Sequence, residues 1–311
     1  MNDVLRIKKP GLLTTVQDLG RPNAIAAGVP PGGAMDRFAH RAANLLVGND
    51  EGAATLECAL RGPELVILRS CLVAITGGDF DPYVNNRPVQ TWTGISISQG
   101  DELTFAGRRA GARAYIAVAG GVAGDRWLGS LSTYMLAARG GMHGRPLTAG
   151  DVIAVAGQPS AHAIAGRHLG SHLRPGYGDH TLGAIAGPHI KWLGPDGRKM
   201  LFGSAFTVSR DADRMGYRLE GPVLDTSGDE LLSFGLAAGA VQVPRGGGPI
   251  LLMADHQTAG GYPVVATVAT AAMPVAAQLL PGDEVSFAEV SIEAALRMRA
   301  AQRVALDSLI G

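Results

Sequence analysis

At 311 residues the chain is long enough to bury at least one complete core, and its length corresponds to about two ordinary domains. Lysine plus arginine balances aspartate plus glutamate at 27 each, so no net field draws the chain to nucleic acid or an anionic membrane, and a small molecule or another protein is the expected partner. With 17 % charged residues, 5 % aromatics and 44 glycines, the composition excludes a disordered chain and predicts many tight turns. The opening stretch MNDVLRIKKPG lacks the apolar core of a signal peptide, and Cys58 and Cys71 form neither a CxxC pair nor a disulfide framework, so a cytoplasmic protein is expected. In chain order, the first helix is predicted in DRFAHRAANLLVGND. There Phe38, Ala42, Leu45 and Leu46 recur at helical spacing, Asp36 stands as N-cap and Gly48 as stop. Short apolar strands between Gly, Pro, Asn or Asp turns follow at LVAITGGD, GISISQGDELTFAG, ARAYIAVAGG, DVIAVAG, AVQVPRGGGPILLMADH and DEVSFAEV. The apolar run 264–280 is broken by Pro274 and Gln278 and falls short of a bilayer span, so no membrane segment is expected. A second helix is predicted in SIEAALRMRAAQRVALDSLI, starting at Ser291 and with Ile292, Ala295, Leu296, Met298 and Leu306 as its apolar positions. The pattern reads as mainly β, with barrels and few short helices.

Three short echoes recur in the same order at offsets of about 180 to 190 residues: 98–107 with 280–289, 72–80 with 250–258, and 13–21 with 206–214. They predict a duplicated β module. The join is placed within or near 158–190, a stretch poor in strand pattern and rich in Gly and His, with the first subdomain at 1–165 and the second at 185–311.

No GxxxxGK[ST] loop, no GxGxxG between a strand and a helix, and no GxSxG elbow occurs, so nucleotide binding by this chain alone has no motif behind it. His162, His168, His172, His180 and His189 crowd one segment, but no acidic or thiol ligand has matching spacing. A solvated connector is expected there, and no metal. Cys58 and Cys71 read as ordinary buried thiols.

Chemistry-bearing groups gather instead at ADHQTAGGYPVV, 254–265, directly after the apolar run PILLM. Asp255, Gln257 and Thr258 offer donors and acceptors, and Gly260 and Gly261 let the backbone turn and approach a ligand closely, as a polar pocket at a barrel mouth requires. RDADRMGYRLEG, 210–221, adds Asp213, Arg214 and Arg218 around a turn, and an Arg fork suits a carboxylate or phosphoryl group. Asp18 with Arg21, and Asp79 with Asp81, occupy equivalent positions in the first half.

The motifs LRIKKPGLLTTVQDLGRP, GVPPGGAMDRFAHRAANLLVGNDEGAATLE, YIAVAGG, DRMGYRLEGP, GAVQVP, PILLMADHQTAGGYP and QLLPGDEVSF resemble the biotin-dependent carboxyltransferase subdomain A and B family. That family is also called allophanate hydrolase subunit 2 or KipA and includes the C subunit of 5-oxoprolinase. The resemblance covers nearly the whole chain in the family's order. It implies two tandem cyclophilin-like β-barrel subdomains, working with a KipI-like partner (resembling allophanate hydrolase subunit 1) and a LamB/YcsF-like partner. The activity it implies is ATP-dependent opening of 5-oxoproline to L-glutamate, with ATP held by the complex. Two alternatives come with it: a carboxyltransferase acting with a biotin carrier on urea or a related amide, and a KipA-type regulator binding a KipI-like partner. Carried over by position, the family's cleft falls on Asp213, Arg214, Met215, Gln242, Asp255, Gln257, Thr258, Gly260, Gly261 and Tyr262. Asp255, Gln257, Arg214 and Asp213 are the expected catalytic groups, with Arg214 as the cation for a substrate carboxylate, Asp255 orienting or deprotonating, and Tyr262 walling a planar ring.

The chain departs from the family pattern at three positions. It has His256 where relatives usually carry Arg, Ala259 where they carry a second Thr, and Phe234 where an acidic residue often follows Ser. A His in place of a fixed cation predicts weaker or pH-dependent anion binding.

Overall fold

Local signals decide where the first helix begins and ends. Asp36 has extended backbone and its carboxylate accepts from Ala39 N at 2.9 Å, capping Arg37–Leu46, while Gly48, at φ 75°, donates to Leu45 O and ends it. The structure is a computed structural model that describes residues 2–159, 163–228 and 231–310, so His162 lies outside the described residues. Two units divide the chain, one of 1–21, 32–174 and 303–311, the other of 22–31 and 175–302. The change of unit between Arg174 and Pro175 falls inside the Gly- and His-rich stretch. Contiguous boundaries at 165 and 185 miss the two short segments, 22–31 and 303–311, that group with the other unit.

In the first unit, a six-stranded sheet runs in the order Val152–Ala154, Asp3–Lys9, Glu64–Ile67, Glu102–Phe105, Pro82–Val84, Arg87–Pro88. A five-stranded sheet runs in the order Leu13–Gln17, Thr55–Ala59, Ala110–Val118, Cys71–Asp79, Gly94–Ile97. Leu5, Ile7, Leu65, Ile67 and Leu103 from the first sheet and Leu56, Val73, Ile75 and Ile116 from the second form one apolar core. Each such buried side chain contributes about 1.5–3 kcal/mol. The Arg37–Leu46 helix covers the other face of the five-stranded sheet, and Thr76 Oγ1 donates to Ala39 O at 2.7 Å. Covered on both faces, the inner strand Cys71–Asp79 is buried from Leu72 to Gly78, which is why its sequence carries an apolar run rather than a polar alternation, and its one buried hydroxyl, on Thr76, is spent on the helix backbone.

The second unit is a closed barrel. Thr181–Ala186 pairs with Val264–Val268, and the ring continues through Ala240–Gln242, Ile250–Leu252, Gly216–Glu220, Ala205–Val208 and Glu284–Glu289. The last strand returns to Thr181–Ala186 in parallel register, so the ring has no open edge. Phe206 and Phe287 meet inside it, ring centroids 6.0 Å apart.

The three sequence echoes fall on strands in both units but not on equal pairings. Leu13–Gln17 and Glu102–Phe105 lie in different sheets, whereas Ala205–Val208 and Glu284–Glu289 pair with each other. The C-terminal helix forms over Ile292–Asp307 with Ala294 N donating to Ser291 Oγ, as expected. Its apolar positions do not all turn inward: Ile292 and Leu296 are 59 % and 56 % exposed, and burial belongs to Ala305, Leu306 and Leu309. The run 264–280 is a strand and the short helix Met273–Ala276, and no helix among the described residues is long and apolar enough to cross a membrane.

His40, on the buried face of the first helix, accepts from Asn44 Nδ2 at Nε2 (3.4 Å) and meets Thr55 Oγ1 through Nδ1 (2.9 Å). Burial lowers its pKa from 6.5 to about 3. The unfolded chain therefore binds the extra proton between those values, so stability present above pH 6.5 is lost as pH falls towards 3. Urea unfolding of His40→Gln between pH 4 and 6 should show a pH slope shallower than the parent's by up to about 1.4 kcal/mol per pH unit. An unchanged slope would remove His40 from the acid response.

Candidate functional site

Register brings the two polar stretches of the second unit together. Gly216–Glu220 pairs with Ile250–Leu252, and the ladder runs on past both strand ends, Met253 N to Met215 O at 3.0 Å and Asp255 N to Arg214 O at 2.7 Å. That extension sets Arg214 against Asp255 in a fork, Nε to Oδ2 at 2.8 Å and Nη2 to Oδ1 at 3.2 Å. Their side chains are 12 % and 10 % exposed. Read from sequence as a substrate-binding cation and a group that orients or deprotonates, the two are engaged with each other. A nearly buried charge needs such a partner. Asp213, also expected to be catalytic, accepts from Met215 N at 2.7 Å and Gly216 N at 3.2 Å and closes the turn. Met215 is exposed beside it.

A second group of expected residues does converge. Gln242 is buried, donates Nε2 to Tyr262 O at 3.3 Å, and presents Oε1 3.5 Å from Gln257 Nε2. Phe234–Gly235 pairs with Ala259–Gly260, and Leu236 N donates to Thr258 O at 3.0 Å, fixing the loop that carries Gln257. A Cβ at Gly260 would stand 2.9 Å from Gln257 Nε2 and 3.0 Å from Leu236 Cδ1, so a side chain there would push on that amide. Gly261 adjoins Leu231 O. Gln257 is exposed, Thr258 half-buried, and Tyr262 is 46 % exposed with its ring available to a planar ligand. His256, which stands where relatives usually carry Arg, is buried, and its Nδ1 donates to Gln257 O at 2.7 Å.

In the first unit, Asp18 organises a cluster that sequence reasoning noted only as a counterpart. Its Oδ1 accepts from Gly20 N, Ser130 Oγ and Ser132 Oγ at 2.7, 2.6 and 2.6 Å, and its Oδ2 from Leu131 N at 2.6 Å. Arg21 is buried, donates to Ser132 O, and lies 5.0 Å from the Trp127 ring centroid and 5.9 Å from that of Tyr134. Cavities of about 330 and 520 Å³ open in this unit, the first lined partly by Asp18 and Gly20, the second by Trp127 and Arg139. The echo of 13–21 in 206–214 was the signal that could have raised Asp18 and Arg21 to candidates. Ser130 and Ser132, 112 and 114 residues away, carried none.

Other sequence candidates are structural. Asp79 accepts from Asp81 N at 2.9 Å, and Asp81 pairs with Arg109 at 2.8 Å. Burial raises the Cys58 thiol to about 12 and Cys71 to about 11, so both stay protonated. The histidines are scattered: His180 Nδ1 meets Glu284 O at 3.0 Å, His189 Nδ1 accepts from Val264 N at 3.1 Å, His168 and His172 are exposed, and among the described residues no three His, Cys, Asp or Glu side chains gather as a metal site.

The profile of the carboxyltransferase domain, subdomain A and B, matches residues 27–289. The chain belongs to the carboxyltransferase-domain family. As a member of it, the chain is 36 % identical over 307 residues to the C subunit of 5-oxoprolinase from Escherichia coli K12, covering 98 % of this chain and 97 % of that one. It is 31 % identical over 326 residues to the urea amidolyase of Lachancea kluyveri, covering 97 % of this chain but 18 % of the amidolyase. Among solved structures, urea carboxylase of Kluyveromyces lactis superposes with a TM-score of 0.92 at 28 % identity, over 98 % of this chain and 29 % of that one. Family membership agrees with the mainly β architecture and its few short helices.

If the Arg214–Asp255 fork holds the loops, Arg214→Gln should lower unfolding free energy by about 3–5 kcal/mol, because it strands a nearly buried carboxylate. The neutral double variant R214Q/D255N should recover more than half of that loss in urea titrations. A single variant within about 0.5 kcal/mol of the parent would exclude a structural role.

Proposed function

We propose that this chain acts as the C subunit of an ATP-dependent 5-oxoprolinase, opening 5-oxoproline to L-glutamate together with a KipI-like partner and a LamB/YcsF-like partner. The observation that carries this reading is reciprocal coverage: the match to the Escherichia coli protein extends over 98 % of this chain and 97 % of that one. ATP is assigned to the complex. The Gln242–Gln257 cluster supplies what lactam opening asks of this chain. The lactam oxygen gains negative charge as its carbon is attacked, and an amide donor such as Gln257 Nε2 stabilises that charge. Gln242, which lies 3.5 Å from Gln257 Nε2 and is itself tied to the backbone of Tyr262, orients it. The exposed Tyr262 ring packs against the planar lactam, and Thr258 with the turn at Gly260 and Gly261 shapes the rim. Arg214 and Asp255 act as positioning residues, holding the end of the strand from which this loop departs.

A second reading, carboxyl transfer from a biotinylated carrier to urea or a related amide, is favoured by the superposition on urea carboxylase at a TM-score of 0.92. The same donors would then face the ureido oxygen of carboxybiotin.

Reconstitution separates the readings. Mixed with its KipI-like and LamB/YcsF-like partners, the chain should yield glutamate from 5-oxoproline with ATP consumed, and leaving the chain out should abolish the reaction. Full activity without it would refute the hydrolase reading, and activity abolished by avidin would replace it with carboxyl transfer.

A further inference from the structure

Segment 125–145 of the first unit is built more tightly than a surface connection requires. Isolated bridges join Asp125 to Gly141, Trp127 to Ser130, Tyr134 to Arg139 and Met142 to Arg145. Leu128, Ala138 and His143 hold φ values of 48°, 50° and 54°, a region that residues with side chains rarely adopt. A Cβ on Gly144 would lie 2.0 Å from the Ala138 carbonyl carbon, so the turns are closed around glycine. At the base, Asp18 accepts from Ser130, Leu131 and Ser132, and at the far end Arg145 grips Asp151 through two contacts of 2.8 Å. Backbone held in unfavourable conformations by surroundings this firm is concentrated at ligand-binding and catalytic sites.

What this frame presents is basic and flat. The cavity of about 520 Å³ is lined by Arg126, Arg139, His143, Asp125 and Trp127. Asp125 meets His143, whose Nδ1 stands 3.1 Å from its Oδ2, and Arg126 is held through Nη1 to Gly129 O at 2.8 Å, so two guanidinium groups stand against one carboxylate. Arg126 also lines the neighbouring cavity of about 330 Å³, walled in part by Gly20, Gly52 and Gly120, so one cation serves both spaces. Trp127 is held in place by the parallel Tyr134 ring, centroids 6.1 Å apart, and by the Arg21 guanidinium at 5.0 Å.

We propose that this cavity is a binding site for a small-molecule oxyanion, a carboxylate or a phosphoryl group gripped by Arg126 and Arg139, with a planar part of the same molecule against Trp127. Arg forks match both anions in geometry, and a charge-assisted hydrogen bond is about twice as strong as a neutral one. The site lies wholly in the first unit, whereas the Gln242–Gln257 cluster belongs to the second. Its existence does not rest on the oxoprolinase reading.

The test uses the full chain without its partner proteins, titrated separately with 5-oxoproline, ATP and inorganic phosphate, and followed by calorimetry and tryptophan fluorescence. Saturable binding of 5-oxoproline that phosphate does not displace identifies a carboxylate site, and saturable ATP binding displaced by phosphate identifies a phosphoryl site. In either case R126Q/R139Q should weaken binding at least tenfold, R139Q alone should weaken it measurably, and Trp127→Phe should remove most of the fluorescence change. Both arginines are exposed, so an unchanged melting temperature is expected to accompany these losses. Absence of saturable binding by all three probes at millimolar concentration, or binding equally tight in the double variant, overturns the proposal.

Discussion

A carboxylate taken out of water must be met by donors or by a cation, and in each unit one such group ties a loop to the end of a strand. In the first, Asp18 collects two serine hydroxyls and two backbone amides and so ties a loop to the end of the strand Leu13–Gln17. In the second, Asp255 collects the fork of Arg214 just beyond the paired strands Gly216–Glu220 and Ile250–Leu252. Removing either set of partners would leave a charge with neither water nor counter-charge, a cost of several kcal/mol in a molecule whose net stability is only about 5–15 kcal/mol. The polar side chains that look most reactive in the sequence are therefore the ones most committed to holding the loops.

That commitment leaves other polar groups of the same loops unengaged by the fork. In the second unit, Gln257 and Tyr262 are exposed and Thr258 is half-buried, with buried Gln242 bonded to Gln257 and to the Tyr262 backbone. A neutral, fixed amide is well suited to a developing oxyanion, since it is already oriented when the charge appears. In the first unit, the firm attachment of segment 125–145 sets Trp127, Arg126 and Arg139 around a cavity. Rigid support below and polar groups above is the same arrangement in both units, reached with different residues.

The parts of this structure governed by near neighbours were legible in the sequence. The Asp36 cap, the Gly48 stop and the strand runs each depend on residues a few positions away, and they form as the patterns predict. Parts governed by register were not. Arg214 and Asp255 are 41 residues apart and meet only because Gly216 pairs with Leu252, a fact with no local signature. Segment 125–145 has isolated bridges and positive φ at ordinary residues, so it offers no period to detect. Periodicity located the C-terminal helix but could not say that Ile292 and Leu296 lie in the open, because an apolar stripe does not specify what covers it. The contact of buried His256 with the Gln257 carbonyl likewise had no local signature in the sequence.

The division between supporting charges and acting amides is tested most directly by kcat in the reconstituted complex, comparing Gln257→Ala with the neutral pair R214Q/D255N. The account predicts a loss on the order of 100-fold for the glutamine variant and less than about fivefold for the pair, at matched folded fractions. A neutral pair that abolishes turnover while Gln257→Ala retains it would contradict the account.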